Sequence, residues 1–253
     1  MTFSNRRVRV FSHKAFTSVG GAPGSAYDPA TADQTGWWRA SFSASPWVGT
    51  ASAGTSLGRD LAEATNPPAA GAALNGLTPA DFDGTNDLLV GATMATFFND
   101  NSWAGSVLVF PDVAGTADAA TPFTEPGVFG ASSFANGGLG FSTDGMRIWR
   151  LNAAAAGYEN AVVACPTGSW SLIQWKGDGA TIQIRRNGGA WVSSACVNPF
   201  AFIGNLNVGK GHDTLGAHLN GKIADLLLTD RVPGDTEFNN IKLYANARYG
   251  LAL

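Results

Sequence analysis

The stretch GSWSLIQWKGDGATIQIRRNGGAWVSSACV, residues 168–197, restricts what this chain can fold into more than any other. Two glycine-containing turns, GDG and NGG, separate three runs rich in β-branched and aromatic residues. In the first run Trp170, Leu172 and Gln174 alternate with Ser171, Ile173 and Trp175, the two-residue period of a strand. Turns this short between strands join antiparallel neighbours, so the segment predicts a three-strand meander.

Strand signals recur on both sides of it. Residues 88–94, 106–110, 127–131, 138–141, 146–151 and 161–164 are short apolar runs, broken by polar clusters such as NDNS at 99–102 and STDG at 142–145. Charged residues make up only 14% of the chain, against about 25% in ordinary soluble domains, while glycine is abundant. That profile favours strands and turns over long solvated helices. The C-terminus differs in kind. Phe238, Ile241, Ala245 and Tyr249 recur at helical spacing, with Asp235 as the expected N-cap and Gly250 as the stop. Some 200 residues of regular short strands without alternating helices predict an all-β, two-sheet antiparallel jelly-roll sandwich, closed by one C-terminal helix.

Residues 1–35 read as an extended N-terminal arm and connector, and 36–253 as the sandwich domain. The arm carries Arg6, Arg7, Arg9 and Lys14 before the first acid, Asp28, in a chain of net charge −3. Val8 and Val10 alternate with Arg7 and Arg9, so Arg6, Arg7, Val8, Arg9 and Val10 are the expected docking element, able to add a strand to a neighbour's sheet edge. No basic patch interleaved with aromatics follows, so nucleic acid is not an expected partner. The first 30 residues lack a secretory apolar run and no 18-residue apolar stretch occurs, so neither export nor membrane insertion is expected. Cys165 and Cys196, near opposite ends of the meander region, are expected as free thiols of a protein made in a reducing cytoplasm.

Several segments in order, WWRASF, NGLTPADFDGTNDLLV, the meander, LNVGKG, LNGKIADLLLTDR and a last helix ending YANARYGL, resemble the concanavalin A-like, laminin-G-like sandwich domains of bacteriophage structural proteins and bacterial surface proteins. The resemblance covers roughly residues 36–253 and implies that the FDGTND and NGKIADLLL strands both lie in the sandwich. It further implies a virion protein made in the host cytoplasm, a capsid decoration or tail-associated protein that contacts other virion proteins such as the major capsid protein, as a homo-oligomer. The alternative is a carbohydrate-binding module that attaches to surface glycans.

Catalysis is not expected. Sandwich glycosidases place carboxylates on one strand as E-x-D-x-E or E-x-D-x-x-E, pointing into one cleft. Here Glu63, Glu125, Glu159 and Glu237 are scattered singly and no E-x-D occurs. The alginate-lyase strand Q-I-H is matched only by Gln183 and Ile184, with Arg185 in place of histidine. GTSLG, residues 54–58, lacks the strand and helix of a nucleophile elbow. GNLNVGKG, residues 204–211, lacks the Ser/Thr and the helix of a phosphate loop. His212 and His218 are not at zinc spacing, and His13 is in the arm. No cofactor is expected apart from calcium, for which Asp83, Asn86 and Asp87 are the candidates, with Asn99, Asp100 and Asn101 as a second set; turn chemistry explains either cluster as well. For sugar stacking the candidates are Trp37, Trp149 and Trp191, with Trp47 beside them, out of eight tryptophans of which most should be core.

Overall fold

The computed structural model describes residues 36–40, 42–43, 47, 49, 59–62, 65–98, 101–115, 121–132, 137–152, 157–197, 201–212 and 216–253. The arm, with Arg6, Arg7, Val8, Arg9 and Val10, lies outside the described residues, as do His13, residues 54–58, Glu63, Asn99 and Asp100.

Fourteen strands form among the described residues: β1 (Gly36–Arg39), β2 (Ala69–Ala70), β3 (Ala80–Asp83), β4 (Leu89–Thr93), β5 (Trp103–Pro111), β6 (Gly127–Ala131), β7 (Gly137–Ser142), β8 (Gly145–Leu151), β9 (Tyr158–Val163), β10 (Ser171–Gly177), β11 (Thr181–Arg186), β12 (Val192–Ala195), β13 (Asn205–Val208) and β14 (Asn220–Thr229). They build two antiparallel sheets packed as a sandwich. One runs β12-β11-β10-β5-β14-β3-β2, with β1 also on β14; the other runs β4-β13-β6-β7-β8-β9. The expected meander is present, with Ile173 opposite Arg186 and Ile184 opposite Val192. FDGTND and NGKIADLLL are direct neighbours, Asp83 opposite Asn220.

The ten-residue β14 is the spine of the first sheet. Its one side pairs with β5 along its length, and its other side pairs first with β3 and then with β1. A bulge between Ile223 and Asp225 turns two consecutive residues, Ala224 and Asp225, to the outer face, while Ile223, Leu226 and Leu228 go into the core. Between the sheets lie Trp38, Val107, Val109, Phe129, Leu139, Ile148, Ile173, Trp175 and Ile184, all essentially inaccessible.

One helix, α1 (Asp235–Tyr249), roofs the outer face of the first sheet. Phe238, Ile241, Ala245 and Tyr249 are its buried residues, at the spacing read from sequence. They meet Ala104, Leu108, Leu172 and Ala224 of the sheet. Gly250 ends the helix with φ 67°, the left-handed conformation glycine adopts freely. The N-cap, however, is Gly234 and not Asp235, which is the first helical residue and spends its carboxylate on side chains instead. No helix among the described residues is long and apolar enough to cross a membrane.

Candidate ligand-binding site

The registers of the meander align Lys176 with Gln183 and Gln183 with Ser193, a polar row across three strands on the part of the outer face that α1 leaves uncovered. Gln183 Nε2 donates to Ser193 Oγ at 2.5 Å, which fixes the amide orientation. Beside this row an open hollow is lined by Lys176, Gly177, Asp178, Thr181, Gln183 and Val232. The turn that forms its rim is held by Asp178, whose Oδ1 accepts from the N–H groups of Ala180 and Thr181 and from the Thr181 hydroxyl. Partial desolvation pushes the Asp178 carboxyl up, but those hydrogen bonds outweigh it and hold the group below the usual carboxylate range.

Trp191 does not line the hollow but lies next to it, behind Lys176. Its indole N–H donates to Asp235 Oδ1 at 3.0 Å, its ring meets Phe238 edge-on, and the Lys176 ammonium and Arg185 guanidinium sit 4.4 and 4.5 Å from its centroid. The Trp191 hydrogen bond first, and the Lys176 charge second, hold the Asp235 carboxyl below its ordinary range. Arg185 is fixed from behind, donating to Gln174 Oε1 at 2.8 Å and Asn239 Oδ1 at 3.1 Å, while Gln174 Nε2 donates to the Phe238 carbonyl at the start of α1. Strands and helix thus hold one half-buried aromatic ring among oriented polar groups at the edge of a hollow, an arrangement able to grip a polar ligand through hydrogen bonds and ring contact.

Of the tryptophans expected to stack sugars, only Trp191 is near this surface. Trp37 is 1% exposed: it packs under α1 against Tyr244, and its N–H donates to Asp225. Trp149, also 1% exposed, packs edge-on against Tyr158. Trp47 is buried against Phe42. These three offer no open face, a correction to the expectation. Alternation in a strand identifies two faces but not which of them is covered, and here both sheet faces carry buried rings.

Asp83, Asn86 and Asp87 lie together at the exit of β3, tied by local hydrogen bonds. Asp87 Oδ2 accepts the Asp83 N–H at 2.8 Å, and Asp83 Oδ1 accepts those of Thr85 and Asn86. Burial raises the Asp87 carboxyl above its usual range. The cluster is an Asx turn that folds the chain back toward Leu89. Among the described residues no group of three or more His, Cys, Asp or Glu could hold a metal ion. Asn101, the described member of the second candidate set, is exposed beside Gly179.

The described glutamates are apart and engaged. Glu125 is buried against Arg147, Glu159 accepts from Asn152 and from the Val197 N–H, and Glu237 chelates Arg231. Residues 204–211 form β13 and the turn after it. Cys165 and Cys196 are free and buried, and burial, then Glu159, pushes the Cys196 thiol up to about 12. The Lys176–Gln183–Ser193 row and its neighbour Asp235 were missed from sequence. The signal that finds them is the length of the two turns, which fixes the register and so the row.

No protein-family model matches the chain, and no curated protein matches it significantly. Solved structures do share its fold. The Trypanosoma rangeli sialidase in complex with sialic acid matches with a TM-score of 0.58 and 12% identity, over 83% of this chain and 33% of that one. The binding domain of botulinum neurotoxin serotype D matches with a TM-score of 0.56 and 9% identity, over 83% of this chain and 50% of that one. The chain therefore spans about a third of the sialidase and half of the toxin domain. At such identities the likeness shows a β-sandwich fold and nothing of the chemistry.

Proposed function

We propose that this chain is a non-catalytic, concanavalin A-like recognition module that binds oligosaccharide at the hollow beside Trp191. The observation that carries the reading is an open hollow lined by Lys176, Asp178, Thr181 and Gln183, with Ser193 continuing the polar row and Trp191 behind Lys176. Sugars are bound through such mixed surfaces, ring against C–H face and hydroxyls against amide, ammonium and carboxylate. The separate, structurally engaged glutamates support a role without hydrolysis, because no two of those described share a strand. The sialidase and toxin structures, one complexed with sialic acid and one a binding domain, agree with recognition as the task. A glycan array followed by calorimetry tests this. Saturable binding is expected, weakened roughly tenfold or more by Gln183→Ala, with unchanged melting temperature. No saturable binding to any glycan overturns it.

A second reading is favoured by the order of phage-like segments and by the basic arm: a virion structural protein, decorating the capsid or tail and docking through Arg6, Arg7, Val8, Arg9 and Val10. Deleting residues 1–20 should then abolish association with particles. Undiminished association would remove the arm from the account.

A further inference from the structure

The outermost strand of the first sheet, β12, has the properties of a pairing surface. Cys196 donates its N–H to the Ala180 carbonyl, and Ser194 and Val192 continue that register against Ile182 and Ile184. In an antiparallel ladder alternate residues turn their backbone groups to opposite sides. The N–H and C=O of Ser193 and Ala195 therefore point away from β11. Farther along, the next outward N–H, that of Val197, is already taken by Glu159 Oε2 at 2.8 Å, so the edge that is open among the described residues ends there.

Natural edges are blunted by shortness, charge, proline or a bulge. Among the described residues this one has only its four-residue length. No charged residue occurs between Arg186 and Lys210, and β12 holds Val, Ser, Ser and Ala in regular pairing. Val192, Ser193 and Ala195 are exposed, and Val192, Val197 and Ile203 are three of the large apolar residues left open on the surface.

The flanks of the strand carry opposite charge. At the Ala195 end stand Asp178, in the turn next to Thr181, and Glu159, with Arg150 buried opposite it on β8. At the Trp191 end stand Arg186 and Lys242, the latter donating to the Asn187 carbonyl; Asp235 there is offset by Lys176, and Arg185 is buried behind Trp191. If a second copy is turned by a two-fold axis and laid antiparallel along β12, the acidic end of each meets the basic end of the other. Parallel docking would set like charges together.

We propose that β12 is a self-association edge on which a second copy of this chain pairs antiparallel, Ser193 opposite Ser193 and Ala195 opposite Trp191, to make one sheet continuous across two molecules. Such an isologous contact closes on itself and uses up the β12 edge of both copies. A four-residue strand buries less than the roughly 1,600 Å² of a standard interface, so the dimer is reversible and its population depends on concentration.

Sedimentation velocity of the full chain over a wide concentration range tests the proposal. A monomer–dimer equilibrium weakened by salt is expected. Ala195→Pro removes an outward N–H without touching the ladder to β11, and Lys242→Glu cancels the positive charge of the basic end. Each should raise the dimer dissociation constant roughly tenfold or more, with circular dichroism and melting temperature unchanged. A wild-type chain that stays monomeric at its solubility limit overturns the proposal, as does a dimer indifferent to both substitutions. A dimer lost on deleting residues 1–20 but retained in both variants would assign the contact to the arm, and equally overturn it.

Discussion

At the residue scale the most informative group is Asp225, which the β14 bulge drives under α1. Its carboxyl is 2% exposed, accepts the Trp37 indole N–H at 2.9 Å, and lies 3.0 Å from the Tyr249 hydroxyl, which is also 3.0 Å from the Ala224 carbonyl. The hydroxyl has one proton, which the Ala224 carbonyl and the Asp225 carboxyl share as acceptors. Burial, opposed by those two hydrogen bonds, raises the Asp225 pKa to about 6. The folded state thus holds this proton more tightly than the unfolded chain does. Its contribution to stability is fully present below the unfolded value near 3.8 and is lost as pH rises through about 6. The shift corresponds to about 3 kcal/mol at most. Asp225→Asn imitates the protonated form, so the variant should gain on wild type as pH rises from 4 to 7 and level off above. Urea unfolding of both proteins at several pH values measures it; a difference independent of pH would show that Asp225 titrates alike in both states.

At the element scale, what sequence disclosed and what it hid have separate physical causes. The meander and α1 were legible because their signals are local: turn residues, a two-residue period, a 3.6-residue period and the glycine stop at Gly250. The first residues of β5 were not. Expected from Ser106, the strand begins at Trp103, and the difference is Trp103, Ala104 and Gly105, the last two poor strand formers on any local scale. Gly105 is explained only in three dimensions, since a Cβ there would lie 2.3 Å from the Trp175 ring and 2.4 Å from the Leu227 carbonyl. The space that glycine vacates is filled by a tryptophan from β10, a contact 70 residues away in the chain. Gly105→Ala should therefore destabilise the fold by about 1–3 kcal/mol, despite improving local propensity. A lower denaturation midpoint at unchanged slope would show it; an equal or higher midpoint would mean that Trp175 moves aside at little cost. The same limit kept the site hidden, for Trp37 and Trp149 look like any aromatic in an alternating strand until the helix and second sheet are in place.

At the scale of the whole molecule the binding surface and the pairing edge meet at Ser193 of β12. Gln183 lies opposite Ser193, and a two-fold axis perpendicular to the sheet keeps the outer faces of both copies on the same side. The row Lys176–Gln183–Ser193 would then continue into Ser193–Gln183–Lys176 of the second copy, placing two hollows on one face. A molecule so built binds an isolated oligosaccharide with the affinity of a single site but a glycan-coated surface with the avidity of two, a gain of roughly a hundredfold where geometry allows both to engage. Ala195→Pro separates these quantities, since Ala195 stands opposite Thr181 in a pair that exchanges no backbone hydrogen bond and turns its N–H away from the hollow. Calorimetry with a free oligosaccharide should give the wild-type affinity for this variant, while retention on a surface densely coated with the same glycan should fall toward the monovalent value. Equal loss in both measurements would mean that the edge is part of the sugar site itself, and equal retention in both would mean that the hollows act singly.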